Sequence, residues 1–328
     1  MAKIYTLKGN GNIKEAQISD YGAAIMKLIV TGKDGKDRDI VLGFDSIDEY
    51  KLNPAFFGAV VGPIANRTAK ARFTINGFTY EMEEDIDEGI NNLHTSRENG
   101  LHKTKFETAV ADENSLTLSH RVEDMDDGFP GNRDIGVKYE IDGNILRITY
   151  TLTTDRDTVF NPTNHSYFNL NGHDSGKIFG QKLFFNADSY TEVDEGQIPT
   201  GEFVPLKGSL YDFSEEKAFT PDCAPIDHNF RRKNGDAFGE AAYVYSPESG
   251  IKMTVSSDLP GLQVYTGENI PPITGKGGCK YGSFSGVALE TQFFPNCLNE
   301  GINNPDFKYP LVKAGEEYKS VTEYKFEI

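Results

Sequence analysis

The chain has no tryptophan, only three cysteines, and 33 basic residues against 50 acidic ones. Each shortage excludes something. Cys223, Cys279 and Cys297 are too few and too scattered for a disulfide framework, and no Cys-x-x-Cys or His-x-x-x-His spacing suggests a metal. A reducing cytoplasm is therefore the expected setting. The formal net charge of -17 makes nucleic acid and anionic membranes poor partners, so the expected ligand is a neutral small molecule. No apolar run approaches the length of a membrane span, and the first residues lack the apolar stretch of a signal peptide. Long helical periodicity is nearly absent as well.

What remains is a succession of short alternating segments separated by turn residues. Asn76-Gly77 and Asp142-Gly143 mark two hairpins, because these dipeptides readily adopt the positive φ angles of tight turns. Around the second, Val137, Tyr139 and Ile141 alternate with polar residues, as do Leu146, Ile148, Tyr150 and Leu152. Residues 22–30 and 39–43 read as a further hairpin about a glycine-rich turn, followed by one helical turn over 46–51 capped by Ser46. More strands are expected at 105–112, 115–123, 182–187, 241–246, 250–256, 261–266, 285–293 and 317–328. Residues 188–219 read as long loops with brief turns, and the acidic run Glu81 to Glu88 as a solvated loop. Many strands without helical layers predict an all-β protein, a large antiparallel β-sandwich formed by one domain over residues 1–328.

Several polar groups look out of place in such a scaffold. In the stretch 161–170, alternation would put His165, Tyr167 and Asn169 on one wet face and Ser166, Phe168 and Leu170 on a packed one. An imidazole there is either a satisfied core histidine or an acid–base group. Glu290 interrupts an apolar strand, at a cost of several kcal/mol unless something compensates it, roughly as for any buried charge. By alternation Glu290 and Gln292 would project together into a cleft. Asn66 and Arg67 follow a glycine-rich apolar run, where Arg67 serves either a surface ion pair or a bidentate contact to a hydroxyl or carboxylate. His94 follows two asparagines and reads equally as part of a turn. Asp227 reads as a loop carboxylate, and Gln263 shares a strand face with Tyr265. Amides, aromatics and carboxylates without a phosphate loop describe a carbohydrate site better than a nucleotide site.

Together these stretches resemble the aldose 1-epimerase, or galactose mutarotase, family. The resemblance is carried by Gly58 to Arg67, Asn92-Leu93-His94, Asp127 to Asn132, Asn164 to Leu170, Asp227 to Phe230, Leu262 to Gly267, and Ala288-Leu289-Glu290, in order over about residues 22–325. It implies a supersandwich fold and reversible interconversion of the α and β anomers of galactose or glucose, without a cofactor, by a monomer or homodimer. By position, Glu290 resembles the base at the C1 hydroxyl and His165 the acid at the ring oxygen. His94 resembles a second imidazole near that oxygen, Asp227 an anchor for sugar hydroxyls, and Arg67 a further binding residue; Asn66 and Gln263 line the matched region. Two departures bear on substrate preference more than on the reaction. Thr95-Ser96 stands where the family usually has two glycines, and Gly62-Pro63 where members often carry Gly-Arg. Within the same class the alternative is a mutarotase of another hexose, including a phosphorylated one. Outside it stand a glycoside hydrolase using Glu290 with Asp227, and a non-catalytic sugar-binding sandwich.

Overall fold

The computed structural model describes residues 2–83 and 90–328, so most of the acidic run Glu81 to Glu88 lies outside the described residues. Turn chemistry and alternation set the framework. Asn76 and Gly77 both take positive φ (51° and 83°) between the paired strands Arg72–Ile75 and Phe78–Glu81. The Asp142-Gly143 turn joins Arg133–Asp142 to Ile145–Thr154, and the expected apolar sets meet in register: Val137 opposite Tyr150, Tyr139 opposite Ile148, Ile141 opposite Leu146. All six are buried, each side chain contributing about 1.5–3 kcal/mol by leaving water.

That hairpin sits within a nine-stranded sheet. From one edge it runs Glu107–Ala111, Ser115–Val122, Arg133–Asp142, Ile145–Thr154, Glu317–Glu327, Lys252–Ser257, Gly239–Tyr245, Lys182–Phe185 and Lys217–Ala218. A six-stranded sheet packs on it, in the order Tyr167–Phe168, Val287–Gln292, Gly261–Tyr265, Asp227–Arg232, Ala187–Val193 and Pro199–Pro205. Every pairing in both sheets is antiparallel. The main core lies between them, with Leu262, Val264, Leu289 and Phe168 from one sheet against Ile148, Tyr150, Val255 and Tyr324 from the other. Phe168 and Tyr324 have ring centroids 5.1 Å apart, and the Thr291 and Thr322 hydroxyls are 2.5 Å apart. This fixes the facing of the strand Val287–Gln292. Leu289 and Thr291 point into the sandwich, so Glu290 between them points out of its other face.

Some sequence expectations need correction. Residues 188–219 are not all loop, because Ala187–Val193 and Pro199–Pro205 pair as strands at the sheet edge. A β-bulge between Ala187 and Ser189 breaks the alternation, so that Ala187 and Tyr190, the latter opposite Phe230, both pack on the core and no period-two pattern is left to read. Pro199 is tolerated because it opens an edge strand. The hairpin after residue 22 is present as Ile25–Thr31 with Asp37–Asp39, but Leu42 and Gly43 have left the sheet. Ahead of it, Ile4–Lys8 and Ile13–Ser19 complete a four-stranded sheet, two strands more than the alternation in the sequence predicts. The helical turn is Ile47–Tyr50; the Glu49 carboxylate accepts from the Ser46 amide at 3.0 Å and its hydroxyl at 2.8 Å.

Candidate active site

The outer face of the six-stranded sheet carries two cross-strand rows. In one, Asp227 pairs with Tyr265, Tyr265 with Ala288, and Ala288 with Tyr167. In the next, Asn229 pairs with Gln263 and Gln263 with Glu290. Period two therefore gathers Asp227, Gln263, Tyr265, Glu290 and Tyr167 on one surface from four strands. Loops roof it, supplying Phe56, Asn66, Arg67, His94, Arg97 and His165. The resulting cleft, of about 250 Å³, is lined by all seven residues singled out in the sequence: Asn66, Arg67, His94, His165, Asp227, Gln263 and Glu290. It falls just below the ~300–1,000 Å³ of drug-sized sites, which suits one small ring better than an oligosaccharide.

His165 Nε2 lies 3.7 Å from Glu290 Oε1, and both side chains are almost fully buried. That is ion-pair distance, but burial acts against the ions. Desolvation first, and the nearby Asp227 charge second, hold Glu290 well above the usual carboxylate range. Desolvation pulls His165 down to about 4. With only protein groups around them the pair is neutral: a carboxylic acid beside an unprotonated imidazole. Oε2 of Glu290 meets no hydrogen-bond donor among the described residues, so the carboxyl keeps one oxygen for another molecule.

His94 is held differently. Its Nδ1 accepts a hydrogen bond from the Asn66 amide at 3.1 Å, and its own amide donates to the Asn66 carbonyl at 3.0 Å. An Nδ1 that accepts leaves the ring proton on Nε2. Burial first, then the neighbouring His165, His102, Arg67 and Arg97, keep this ring far below an ordinary histidine pKa. His94 is thus a neutral N–H donor, and its ring centroid is 5.4 Å from that of His165. Asp227 accepts a 2.6 Å hydrogen bond from Gln263 Nε2. Its carboxyl is raised by burial, with the Arg67 charge and the Gln263 bond opposing.

Asp227 is not in a loop; it opens the strand Asp227–Arg232. Nor is 161–170 one alternating strand. Thr163–Asn164 pairs with Val60–Val61 and Tyr167–Phe168 with the Glu290 strand, so His165 sits at the bend between two sheets. Asn169 leaves the wet face: its Nδ2 donates to the carbonyls of Gly176 at 3.0 Å and Ser285 at 3.1 Å. Gln292 also fails to reach the cleft; it is buried, with its amide on the Phe293 carbonyl. Phe56 and Gln197 line the cleft without having been singled out, because no local pattern marks either. The unusual Thr95-Ser96 pair has a structural task. Thr95 Oγ1 accepts from the Ile64 amide and donates to its carbonyl, and Ser96 Oγ accepts from the Glu98 and Asn99 amides.

Comparison with known proteins places the chain in a family. Residues 3–325 match the family described as aldose 1-epimerase. The chain is 35% identical to the galactose mutarotase of Bos taurus over 317 residues, covering 95% of this chain and 90% of that one. It is 32% identical to the aldose 1-epimerase of Escherichia coli strain K12 over 337 residues, covering 99% and 95%. A crystal structure of an aldose epimerase homologue from C. elegans superposes with a TM-score of 0.91 at 27% identity, covering 100% of this chain and 99% of that chain. The chain belongs to the aldose 1-epimerase family of isomerases.

Proposed function

We propose that this protein is a mutarotase, interconverting the α and β anomers of galactose or glucose, with Glu290 as base and His165 as acid. The observation that carries the reading is the buried carboxyl–imidazole pair, 3.7 Å apart on the floor of a cleft sized for one sugar ring. The pair holds one proton between two groups. Moving it from Glu290 to His165 creates a carboxylate and an imidazolium, and sugar hydroxyls filling the cleft lower the cost of that charge separation.

Glu290 then takes the C1 hydroxyl proton. The released electron pair forms the C1=O1 bond as C1–O5 breaks, and O5 takes the proton from His165. Rotation about C1–C2 presents the other carbonyl face. On closure O5 returns its proton to His165 while attacking C1, and O1 recovers a proton from Glu290. Each positioned proton transfer is worth about 10²–10⁴-fold. His94 Nε2–H donates to the ring oxygen as charge develops there, and Asp227 with Gln263 and Arg67 anchors hydroxyls at the far end.

The hydrolase alternative has less support. Asp227 is engaged with Gln263, and the group beside Glu290 is an imidazole, not a second carboxylate. We further propose a single domain over residues 1–328, supported by one core running between both large sheets, acting in the cytoplasm as a monomer or homodimer.

Magnetisation exchange between anomeric protons, run by NMR across a panel of aldoses and one hexose 6-phosphate, tests the reading. We expect faster exchange for galactose or glucose than in buffer. Saturable sugar binding without faster exchange would select the non-catalytic reading, and acceleration confined to the phosphorylated sugar would move the substrate to that class.

A further inference from the structure

Two non-glycine residues near the cleft take left-handed backbone conformations in one loop, Asn53 (φ 26°) and Phe56 (φ 57°). For a bulky residue such as phenylalanine this conformation is strained, and it persists only where the surroundings over-determine it. Here they do. Asn53 Oδ1 accepts from the Phe57 amide at 2.8 Å, its Nδ2 donates to the Phe57 carbonyl at 3.1 Å, and its carbonyl accepts from the Phe56 amide at 3.0 Å. Beyond this clamp, the Gly58 amide donates to the His165 carbonyl at 3.2 Å and the His165 amide donates to the Ala59 carbonyl at 2.8 Å. Loop and histidine form one hydrogen-bonded unit.

The clamp aims one ring. Phe56 has its centroid 4.9 Å from His94, 4.8 Å from His102 and 5.7 Å from His165, lying within 26° of parallel to the last. His102 is outside the cleft lining, buried, with Nε2 donating to the Arg97 carbonyl at 3.3 Å. It closes the far side of Phe56. The next residue, Lys103, donates through Nζ to the Leu52 carbonyl at 3.2 Å and to that of Lys51, tying this support to the loop.

We propose that Phe56 is a positioning residue. Its ring, held between His102 and the imidazoles of His94 and His165, fixes their planes and keeps water from one face of His165. The assignment rests on the mutarotase reading, since its consequence is a well-placed acid. The ionisable groups that face His165 are Glu290 from the sheet, His94 and His102 from the roof, and Tyr167 from its own segment; Arg67 and Arg97 act on His94. Changing Phe56 adds and removes no ionisable group among these, so a change in the His165 titration reports the hydration and orientation of the imidazoles that the ring touches.

The test is Phe56→Leu, with Phe56→Met as a second variant should the first not fold by near-ultraviolet circular dichroism. Two readouts are taken: kcat and KM for anomer exchange, and the imidazole titration of His165 by NMR. We expect kcat to fall roughly 10- to 100-fold, as for a misplaced catalytic group, while KM stays within about twofold. The His165 pKa should rise by about one unit as water reaches the ring. Phe56→Tyr, which keeps the ring, should restore both. An unmoved His165 titration together with kcat within about twofold of wild type overturns the assignment of Phe56 alone. Failure of the wild-type protein to accelerate anomer exchange overturns the mutarotase reading and this proposal with it.

Discussion

His165 and Glu290 lie beyond the same end of the antiparallel pairing of Tyr167 with Ala288 and Phe168 with Val287, and meet with Nε2 and Oε1 3.7 Å apart. Tyr167 opposite Ala288 fixes the register. Two residues on from Ala288 and two back from Tyr167 lie the carboxyl and the imidazole, so this register brings the proposed base and acid together. A shift by one residue would turn Glu290 into the sandwich core, where Leu289 and Thr291 now sit.

The pair should give a broad pH optimum. The active form holds one proton on two groups, so activity falls where a second is gained or the only one is lost. Gaining a second requires protonating His165, held at about 4 by burial, so the acid limb should lie near pH 4. Losing the only one requires ionising Glu290, which burial raises, so the alkaline limb should lie well above the ordinary carboxylate range. Measuring kcat/KM for anomer exchange from pH 3.5 upward, about half a unit at a time, checks this. An acid limb between about pH 6 and 7 would show an ordinary imidazole and contradict it.

Glu290 should also cost the fold stability at neutral pH. Its folded pKa is raised above its unfolded one, so unfolding releases a proton once pH exceeds the unfolded value, and stability falls as pH climbs toward the folded value. Glu290→Gln removes that penalty. Urea denaturation should show the variant more stable than wild type at pH 7, by at most about 1.4 kcal/mol for each pH unit between the unfolded carboxyl's pKa and pH 7, with the gain vanishing near pH 4. A gain over wild type no larger at pH 7 than at pH 4 would show that the carboxyl is not penalised.

How far these features could be read from the sequence depends on whether their cause is local. Asn76-Gly77 and Asp142-Gly143 carry their turn chemistry in two residues, and the strands around the second keep strict alternation, so both hairpins were legible. Glu290 was conspicuous because it interrupts an apolar strand. The strand Ala187–Val193 was not legible, since a bulge after Ala187 breaks the period-two pattern between its core-facing Ala187 and Tyr190. Phe56 and Gln197 reach the cleft from a clamped loop and from the turn between two edge strands, placements set by tertiary contacts. His94, Asp227 and Arg67 each had an ordinary turn, cap or ion-pair reading. Only the ordered family motifs picked them out.

Asp227 should act mainly on binding. Hydrogen bonds to charged groups contribute about 1.5–3 kcal/mol, so Asp227→Asn should raise KM about 10- to 100-fold with a smaller fall in kcat. Steady-state kinetics on the aldose that responds best in the anomer-exchange panel measures the split. A normal KM with a collapsed kcat would instead move Asp227 into the proton-transfer machinery.

Lys276 ties the loop that brings Asn269, Ile270 and Pro271 to the cleft. Its Nζ donates to Asp39 Oδ2 at 2.6 Å, to the Val41 carbonyl at 2.6 Å and to the Met26 carbonyl at 3.0 Å, with both charged side chains buried. Lys276→Ala leaves the Asp39 carboxylate buried without its partner and should cost about 3–5 kcal/mol in urea denaturation. A loss below about 1 kcal/mol would place the pair with exposed ion pairs.

Polarimetry of freshly dissolved α-galactose, following wild type, Glu290→Gln and His165→Asn at matched concentration and with folding verified, addresses the proposed acid–base pair itself. We expect wild type to hasten equilibration and each variant to lose about 10²-fold or more, consistent with removing one proton-transfer group. Two folded variants that equilibrate the sugar as fast as wild type would show that Glu290 and His165 do not carry the reaction.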